Sequence, residues 1–521
     1  MKFYHWIVLL LLSASCSSHK LPVILCSDKA SPTEKLAAKE LRRYIYLRTG
    51  SVPELKIVSK TELLPDRYIL VASQQTANLL ENSLKNVNDT TKTLRHDDFY
   101  LYSTETGLVI SGGSDIGLLY GVYHYLQKLN IGFYLYGDVI PDGQVRNIDI
   151  SGYNKVFRSL SEIRGINPYR DFPVGPDGWD ADNNESMSEQ LVKMKMSFAD
   201  LNTSTNNGDY TNKFADIKST VDFYKHWCFV QFGISIANES AAIFTAIDGK
   251  LPSVAEWYSS LKNIKLIETP WEHEQKKYVF VDQFENLLLP VKGKGNLDRY
   301  QYWLHRFKFQ RTIAQLGCSI FQLSRIIENV NAENDPVRKK NLVTSQAIPV
   351  RTEIARLWGE ATAHLLECLR MPEEMGILSN LKNHNYPLFI KYDSLMTAIA
   401  GPLPLTTLPG REYKDKLRVF IPAVRTIRKN GEDLKLKIVI LGWHDPSQSQ
   451  LYWKPLGASG DYKIIPMKHI SGVNYEAWLP AKEIENNDIE YFINVIGKGG
   501  SATFPVTAPE MNQTVVIRDE I

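Results

Sequence analysis

The sequence predicts a multi-domain α+β chain: a small α/β domain, a remnant of a β/α barrel, a helical bundle and a C-terminal β-sandwich. Three observations carry that expectation. Residues 158–205 read as strand, long polar loop, helix and strand, which is how a β/α barrel opens. Residues 297–328 place Tyr300, Leu304, Phe307, Ile313, Leu316, Ile320, Leu323 and Ile327 on one broad helical stripe. Residues 434–438 alternate Leu, Lys, Leu, Lys, Ile, and strand-like runs recur at roughly ten-residue spacing beyond them, as in an antiparallel sandwich.

A chain of 521 residues has room for about three domains. Its 44% hydrophobic and 23% charged residues are those of a globular protein. A formal net charge of +2 gives no footprint for nucleic acid or for an anionic membrane surface. The only membrane contact expected is at the front. Lys2 and the apolar run 7–12 form an export signal too short to remain as a span. Leu12-Ser13-Ala14-Ser15-Cys16 then resembles a bacterial lipoprotein cleavage box, with Cys16 as the lipidated residue, although Ser13 stands where Leu is usual. An ordinary signal-peptidase site is the alternative. Residues 1–16 are thus read as a signal and the mature protein as lipid-anchored in a bacterial cell envelope, periplasmic or on the outer-membrane surface. Cys26, Cys228, Cys318 and Cys368 show neither CxxC nor Cys/His metal spacing and are expected as buried free thiols.

Residues 21–150 form the α/β domain. A strand at 23–26 precedes the capping box Ser31-Pro32-Thr33-Glu34, which opens a helix reaching about Arg48 and closed by Gly50. Strands follow at 54–58, 68–72, 99–103 and 108–111, and Ser114 caps a helix at 116–129. Gly112-Gly113-Ser114 completes neither GxGxxG nor GxxxxGK[ST], so no nucleotide site and no cofactor is expected.

The run through Gly112, Gly117, Leu118, Leu119, Tyr120, Gly121 and Val122 resembles the small domain that precedes the catalytic barrel in bacterial β-N-acetylhexosaminidases and α-glucuronidases. That resemblance implies a scaffold without catalytic residues. It also gives Arg164-Gly165 a meaning, because hexosaminidases keep an Arg-Gly pair at the end of the first barrel strand, where the Arg grips sugar hydroxyls. The alternative is that Arg164 braces the loop by pairing with Asp171 or Glu162. Around it, strands at 160–166 and 196–201, a helix at 186–194 and the intervening polar loop bring Asp171, Asp177, Trp179, Asp200 and Asn202 to the mouth of the barrel. Arg164, Asp171, Trp179 and Asn202 are the candidate substrate-binding residues, and Asp171, Asp177 and Asp200 the candidate carboxylates.

A full barrel needs eight strand–helix units and about 250 residues. Only 65 residues separate Asn206 from Pro270, and they are irregular, with helix at 220–227 and a mixed segment at 229–247. The barrel region, 151–269, is therefore expected to be truncated. Residues 270–400 read as almost all helix: 297–328, then a helix begun by Asp335-Pro336 and kinked at Pro349, then 373–382 and 386–399. Trp303, His305, His364 and His384 are expected to be structural. After the Pro-rich linker 402–409, residues 411–521 carry seven strands of a fibronectin-like sandwich, at 417–422, 434–441, 449–455, 462–467, 474–479, 489–497 and 515–517. Trp443, Trp453 and Trp478 there are core residues or, alternatively, a carbohydrate platform.

Glycoside hydrolysis needs an acid and a base, or a substrate amide in place of the nucleophile. The hexosaminidase Asp-Glu pair recurs only as Asp519-Glu520 at the chain end, and Glu432-Asp433 falls in a sandwich turn. The expectation is an exported, carbohydrate-related protein that binds glycan or serves as a scaffold with a degenerate barrel. An active exo-acting glycoside hydrolase and an envelope protein without a sugar role are the alternatives.

Overall fold

The computed structural model describes residues 20–59, 64–80, 84–161, 163–166, 180–199, 219–255, 263–409, 417–442, 444–485 and 487–519. The protein is a mixed α and β molecule with several sheets. Strands β1 (Val23–Ser27), β2 (Leu55–Val58), β3 (Tyr68–Ser73), β4 (Phe99–Ser103) and β5 (Gly107–Gly112) share a sheet with β8 (Asn154–Phe157), while β6 (Gly132–Tyr134) and β7 (Gly137–Val139) pair apart as a hairpin. The sheet runs β2-β1-β3-β5-β4-β8; the first four strands are parallel, and β4 is antiparallel to both neighbours. Both faces are covered, which is why β1, β3 and β5 read as unbroken apolar runs. Along β1, Ile24 and Cys26 face helices α1 (Pro32–Thr49) and α3 (Asp115–Lys128). Val23 and Leu25 face Ala77 and the Val87 of helix α2 (Lys85–Lys92).

Local chemistry starts and stops these helices. The Ser31 hydroxyl accepts from the Glu34 amide at 3.2 Å while the Glu34 carboxylate accepts from the Ser31 amide at 2.8 Å, and Gly50 ends α1 at φ 72°. At the start of α3, Ser114 Oγ accepts from the Gly117 amide at 3.1 Å. The glycines before it are there for close packing. A Cβ at Gly112 would overlap the Leu118 amide, and one at Gly113 the Arg95 carbonyl.

The next strands are short. β9 (Gly165–Ile166) and β10 (Phe198–Ala199) pair in parallel across helix α4 (Ala181–Lys193). That helix starts five residues earlier than its apolar spacing suggests, because Asp180 caps it: Asp180 Oδ1 accepts from the Asn183 amide at 2.9 Å. Lys195, at φ 62°, turns the chain from α4 into β10.

The segment expected to be mixed at 229–247 is helical instead. Helices Thr220–Phe232 and Ala237–Ile247 turn at Gly233 (φ 83°). They bury Trp227, Phe232 and Phe244 against Phe284, Tyr300 and Phe307, so tertiary aromatic packing decides their state. The helix Lys294–Ala332 carries the predicted stripe and lies along Ile348–Cys368. Ahead of Pro349 the helix widens into a π turn, Val343–Ala347, which accommodates a residue with no N–H to give. A second π turn, Leu381–Asn385, precedes Pro387, and the expected single helix at 386–399 is broken into Tyr386–Phe389 and Asp393–Ala400.

The C-terminal strands form two sheets around one core. Strands Leu434–Leu441, Asn474–Leu479 and Ile489–Gly497 stand at the expected positions. The short strands Ile427–Lys429, Lys468–Ser471 and Gly500–Phe504 are additional. Trp453 is 1% exposed within this core. This part seats on α1: Arg42 pairs with Asp488 at 2.6 Å, Tyr46 Oη donates to Glu490 at 2.9 Å, and Val516 joins the core of the front sheet. Cys26, Cys228, Cys318 and Cys368 are buried and unpaired. Among the described residues, no helix is long and apolar enough to cross a membrane.

Candidate functional site

Of the residues singled out from the sequence, Arg164 lies within the described structure. Cys16, Asp171, Asp177, Trp179, Asp200 and Asn202 lie outside the described residues. Arg164 immediately precedes β9, at its start and not at the end of a strand as expected, and is 4% exposed. Its Nη2 pairs with Asp97 at 2.7 Å, Nε donates to the Lys195 carbonyl at 3.0 Å, and Nη1 donates to the Ser161 carbonyl at 2.6 Å. The guanidinium carbon sits 5.7 Å from the Tyr120 ring centroid. This geometry ties the β9–β10 pair to the loop before β4. Asp180, Asp182 and Glu185 on α4 are likewise engaged, with Lys437 and Arg425 of the C-terminal part.

A second region is built from segments that the sequence gives no reason to connect. A cleft of about 880 Å³ opens where the front sheet, α4, the helical core and the C-terminal strands meet. Helical periodicity supplies two of its walls. On α4, positions 183, 186, 187 and 190 share one face; on the long helix, 295, 298, 299 and 302 do. The β6–β7 hairpin brings Leu135 and Tyr136, and the strand beginning at Arg418 brings Phe420, with Thr503 and Phe504 closing the far side. Tyr136 stacks on Tyr134 at 5.1 Å, accepts a hydrogen bond from Gln231 Nε2 at 2.7 Å, and stays 41% exposed.

Every carboxylate lining this cleft is held by a cation. Asp298 pairs with Arg370 at 2.9 Å and Glu367 with Arg418 at 3.7 Å. Asp138 is the centre of a denser set: Lys193 Nζ at 2.9 Å, Arg43 Nη2 at 3.7 Å, Tyr44 Oη donating at 2.6 Å and Gln190 Nε2 at 3.1 Å. Burial alone would raise the Asp138 pKa, but Lys193, Arg43 and the Tyr44 hydrogen bond together outweigh it and hold the carboxyl below the usual range. Arg43 is also paired with Glu40 at 3.0 Å, and Arg299 with Asp142 at 3.3 Å. Asp142 Oδ2 in turn accepts the Gly295 and Asn296 amides at the start of the long helix, where a negative charge is favoured. Asp138 so held is a carboxylate with no proton to give a leaving group. The paired acids of the cleft are arranged to orient and hydrogen-bond a ligand.

Sequence reasoning missed this cleft because most of its charged partners lie roughly 50 to 160 positions apart and each looks like an ordinary surface charge. It also missed a histidine contact: His305 Nδ1 and His364 Nδ1 approach to 3.0 Å, with Glu360 at 3.7 Å from His364 Nε2. Among the described residues no group of three or more His, Cys, Asp or Glu could hold a metal ion. Among the described residues, the sandwich tryptophans form no common platform. Trp453 is in the core, Trp443 lies outside the described residues, and Trp478 is exposed with its indole donating to Asp433 at 3.1 Å.

Comparison with known proteins agrees with the front of the chain. Residues 12–125 match the model of the glycosyl hydrolase family 67 N-terminus. No curated protein matches the chain. Among solved structures, the endo-beta-1,4-mannanase from Thermotoga petrophila aligns over 29% of this chain and 24% of its own, at 10% identity and a TM-score of 0.17, a likeness too slight to carry any argument. The front of the chain is glycoside-hydrolase-like, and its ancestry is carbohydrate-related.

Proposed function

We propose that this protein is an exported envelope component that binds glycan in the cleft around Asp138 and Tyr136, and that it does so without cleaving it. The observation that carries the reading is the pairing of every cleft carboxylate with a cation beside an exposed aromatic face. Paired acids suit recognition, whereas hydrolysis calls for one carboxyl kept protonated opposite a second, roughly 5–9.5 Å away. The family 67 front domain supports the carbohydrate context. In this reading β9, α4 and β10 are the remnant of a β/α barrel, and the two C-terminal sheets a fibronectin-like sandwich that walls the cleft. Lipidation at Cys16 would hold the protein at the envelope. Fatty-acid labelling that marks the wild type and Cys16→Ser alike removes the anchor from the proposal.

The test of function is direct. Purified protein should leave chromogenic N-acetylhexosaminides, glucuronides and neutral glycosides at background while retaining glycan in calorimetric titration. Turnover at ordinary enzymatic rates, abolished by Asp171→Asn or Asp177→Asn, would replace this reading with an active glycoside hydrolase.

A further inference from the structure

We infer that the cleft selects an uncharged, hydroxyl-rich stretch of its ligand; the inference rests on the glycan-binding reading above and specifies the chemistry of the bound segment. The charged lining groups are occupied and several of the neutral polar ones are not. The cations Arg43, Arg299, Arg370 and Arg418 each face a carboxylate already, at 3.0, 3.3, 2.9 and 3.7 Å. A carboxylate or sulfate entering beside Arg370 would meet Asp298 at the same guanidinium and suffer like-charge repulsion. An ammonium group would meet the mirror-image problem at Asp138, whose partners are Lys193 and Arg43. Either charge must leave water for a site whose counter-charges are committed elsewhere, which costs more than it returns.

The neutral polar lining is in the opposite condition. Among the described residues, the side chains of Asn183, Gln301, Ser501 and Thr503 face the cleft and none is given a hydrogen-bond partner by the protein. These amides and hydroxyls both donate and accept, as sugar hydroxyls do. They lie beside apolar surface from Leu135, Tyr136 and Phe504, against which the C–H face of a pyranose ring can pack. Free neutral hydrogen-bonding groups, apolar faces and closed ion pairs together describe a neutral sugar and disfavour an acidic one.

The mature full-length protein should be titrated calorimetrically with mannohexaose, chitohexaose and hexagalacturonate, at roughly 0.05 M and 0.5 M NaCl to vary the screening of any ionic contact. At least one neutral oligosaccharide should bind, with its affinity changing less than about twofold between the two salts, and hexagalacturonate should bind about tenfold more weakly or not at all. Gln301→Met and Thr503→Val, both near in shape to the native residue, should each weaken neutral binding about three- to tenfold while melting like the wild type. Preference for hexagalacturonate with steep salt dependence overturns this inference and leaves the glycan-binding reading standing. Neutral binding indifferent to both substitutions places the ligand outside the cleft and overturns it too. Binding of none of the three overturns both.

Discussion

Asp138→Asn should destabilise the whole assembly, and the size of the effect follows from what surrounds the carboxylate. The substitution keeps the shape and removes the charge. Arg43 retains Glu40 at 3.0 Å, so the loss falls on Lys193, whose side chain is 0% exposed and whose remaining short contact is the Thr426 hydroxyl at 2.8 Å. Leaving a buried ammonium without its carboxylate costs about 3–5 kcal/mol. With roughly 2–4 °C per kcal/mol for a unit of 150–250 residues, the melting transition should fall by about 10 °C. Because Asp138 is in the front hairpin, Lys193 in α4 and Thr426 next to the C-terminal sheet, the drop should appear in one shared transition. Scanning calorimetry reads it, and the double variant Asp138→Asn/Lys193→Met should recover much of the loss, since it removes the stranded charge. The pH dependence has a fixed sign. A carboxyl held below its ordinary value of 3.8 stabilises above that value and loses its contribution as pH falls, so wild type and Asp138→Asn should converge in acid. A single variant melting within a degree of wild type, or a double variant as damaged as the sum of its parts, refutes the reasoning.

Two further substitutions probe the region around β9. Arg164→Lys removes the fork that reaches Asp97, Lys195 and Ser161 together, and should lower melting by several degrees, as about 1–3 kcal/mol does; unchanged melting with weakened glycan binding would assign Arg164 to the ligand instead. Lys195 is 2% exposed, and burial, with the nearby charges of Lys128 and Arg164, lowers its ammonium from 10.5 to about 7. A lowered amine penalises the charged form, fully below pH 7 and vanishingly toward pH 10.5. Lys195→Met should therefore stabilise most at slightly acidic pH, the advantage fading as pH rises; a lower melting point for the variant at pH 6 contradicts this.

The front sheet was legible because its signals are local. The unbroken apolar run of β1, the Ser31–Glu34 capping box and Gly50 each act within a few residues, and the strands at 68–72 and 99–103 fall where the sequence puts them. The stripe on Lys294–Ala332 was legible for the same reason. What failed was decided by distant partners. Residues 229–247 look mixed in isolation and become helical by burying Phe232 and Phe244 in an aromatic cluster supplied by residues 278–307. At Pro349, where a kink is expected, a π turn over Val343–Ala347 precedes the proline, a detail that its lone spacing does not specify. Arg164 also has a partner that no local pattern points to, Asp97, 67 positions away; Glu162 and Asp171 lie outside the described residues. Most of the cleft's pairings are of this long-range kind, which is why no motif announced it.

The four buried thiols have a chemical consequence for a protein read as exported. Disulfide exchange and oxidation proceed through the thiolate. Burial raises Cys26 and Cys368 to about 12 and Cys318 to about 11, and it pushes Cys228 up as well. At neutral pH the nucleophilic form of each is then on the order of one part in ten thousand or less. Once folded, the chain is chemically quiet in an oxidising compartment. Before folding, the same four sulfurs are ordinary thiols with no native pairing to find, so any bond they form is a wrong one. The vulnerable interval is the one before the core collapses, and for Cys26 it ends when β1 packs beneath α1 and α3.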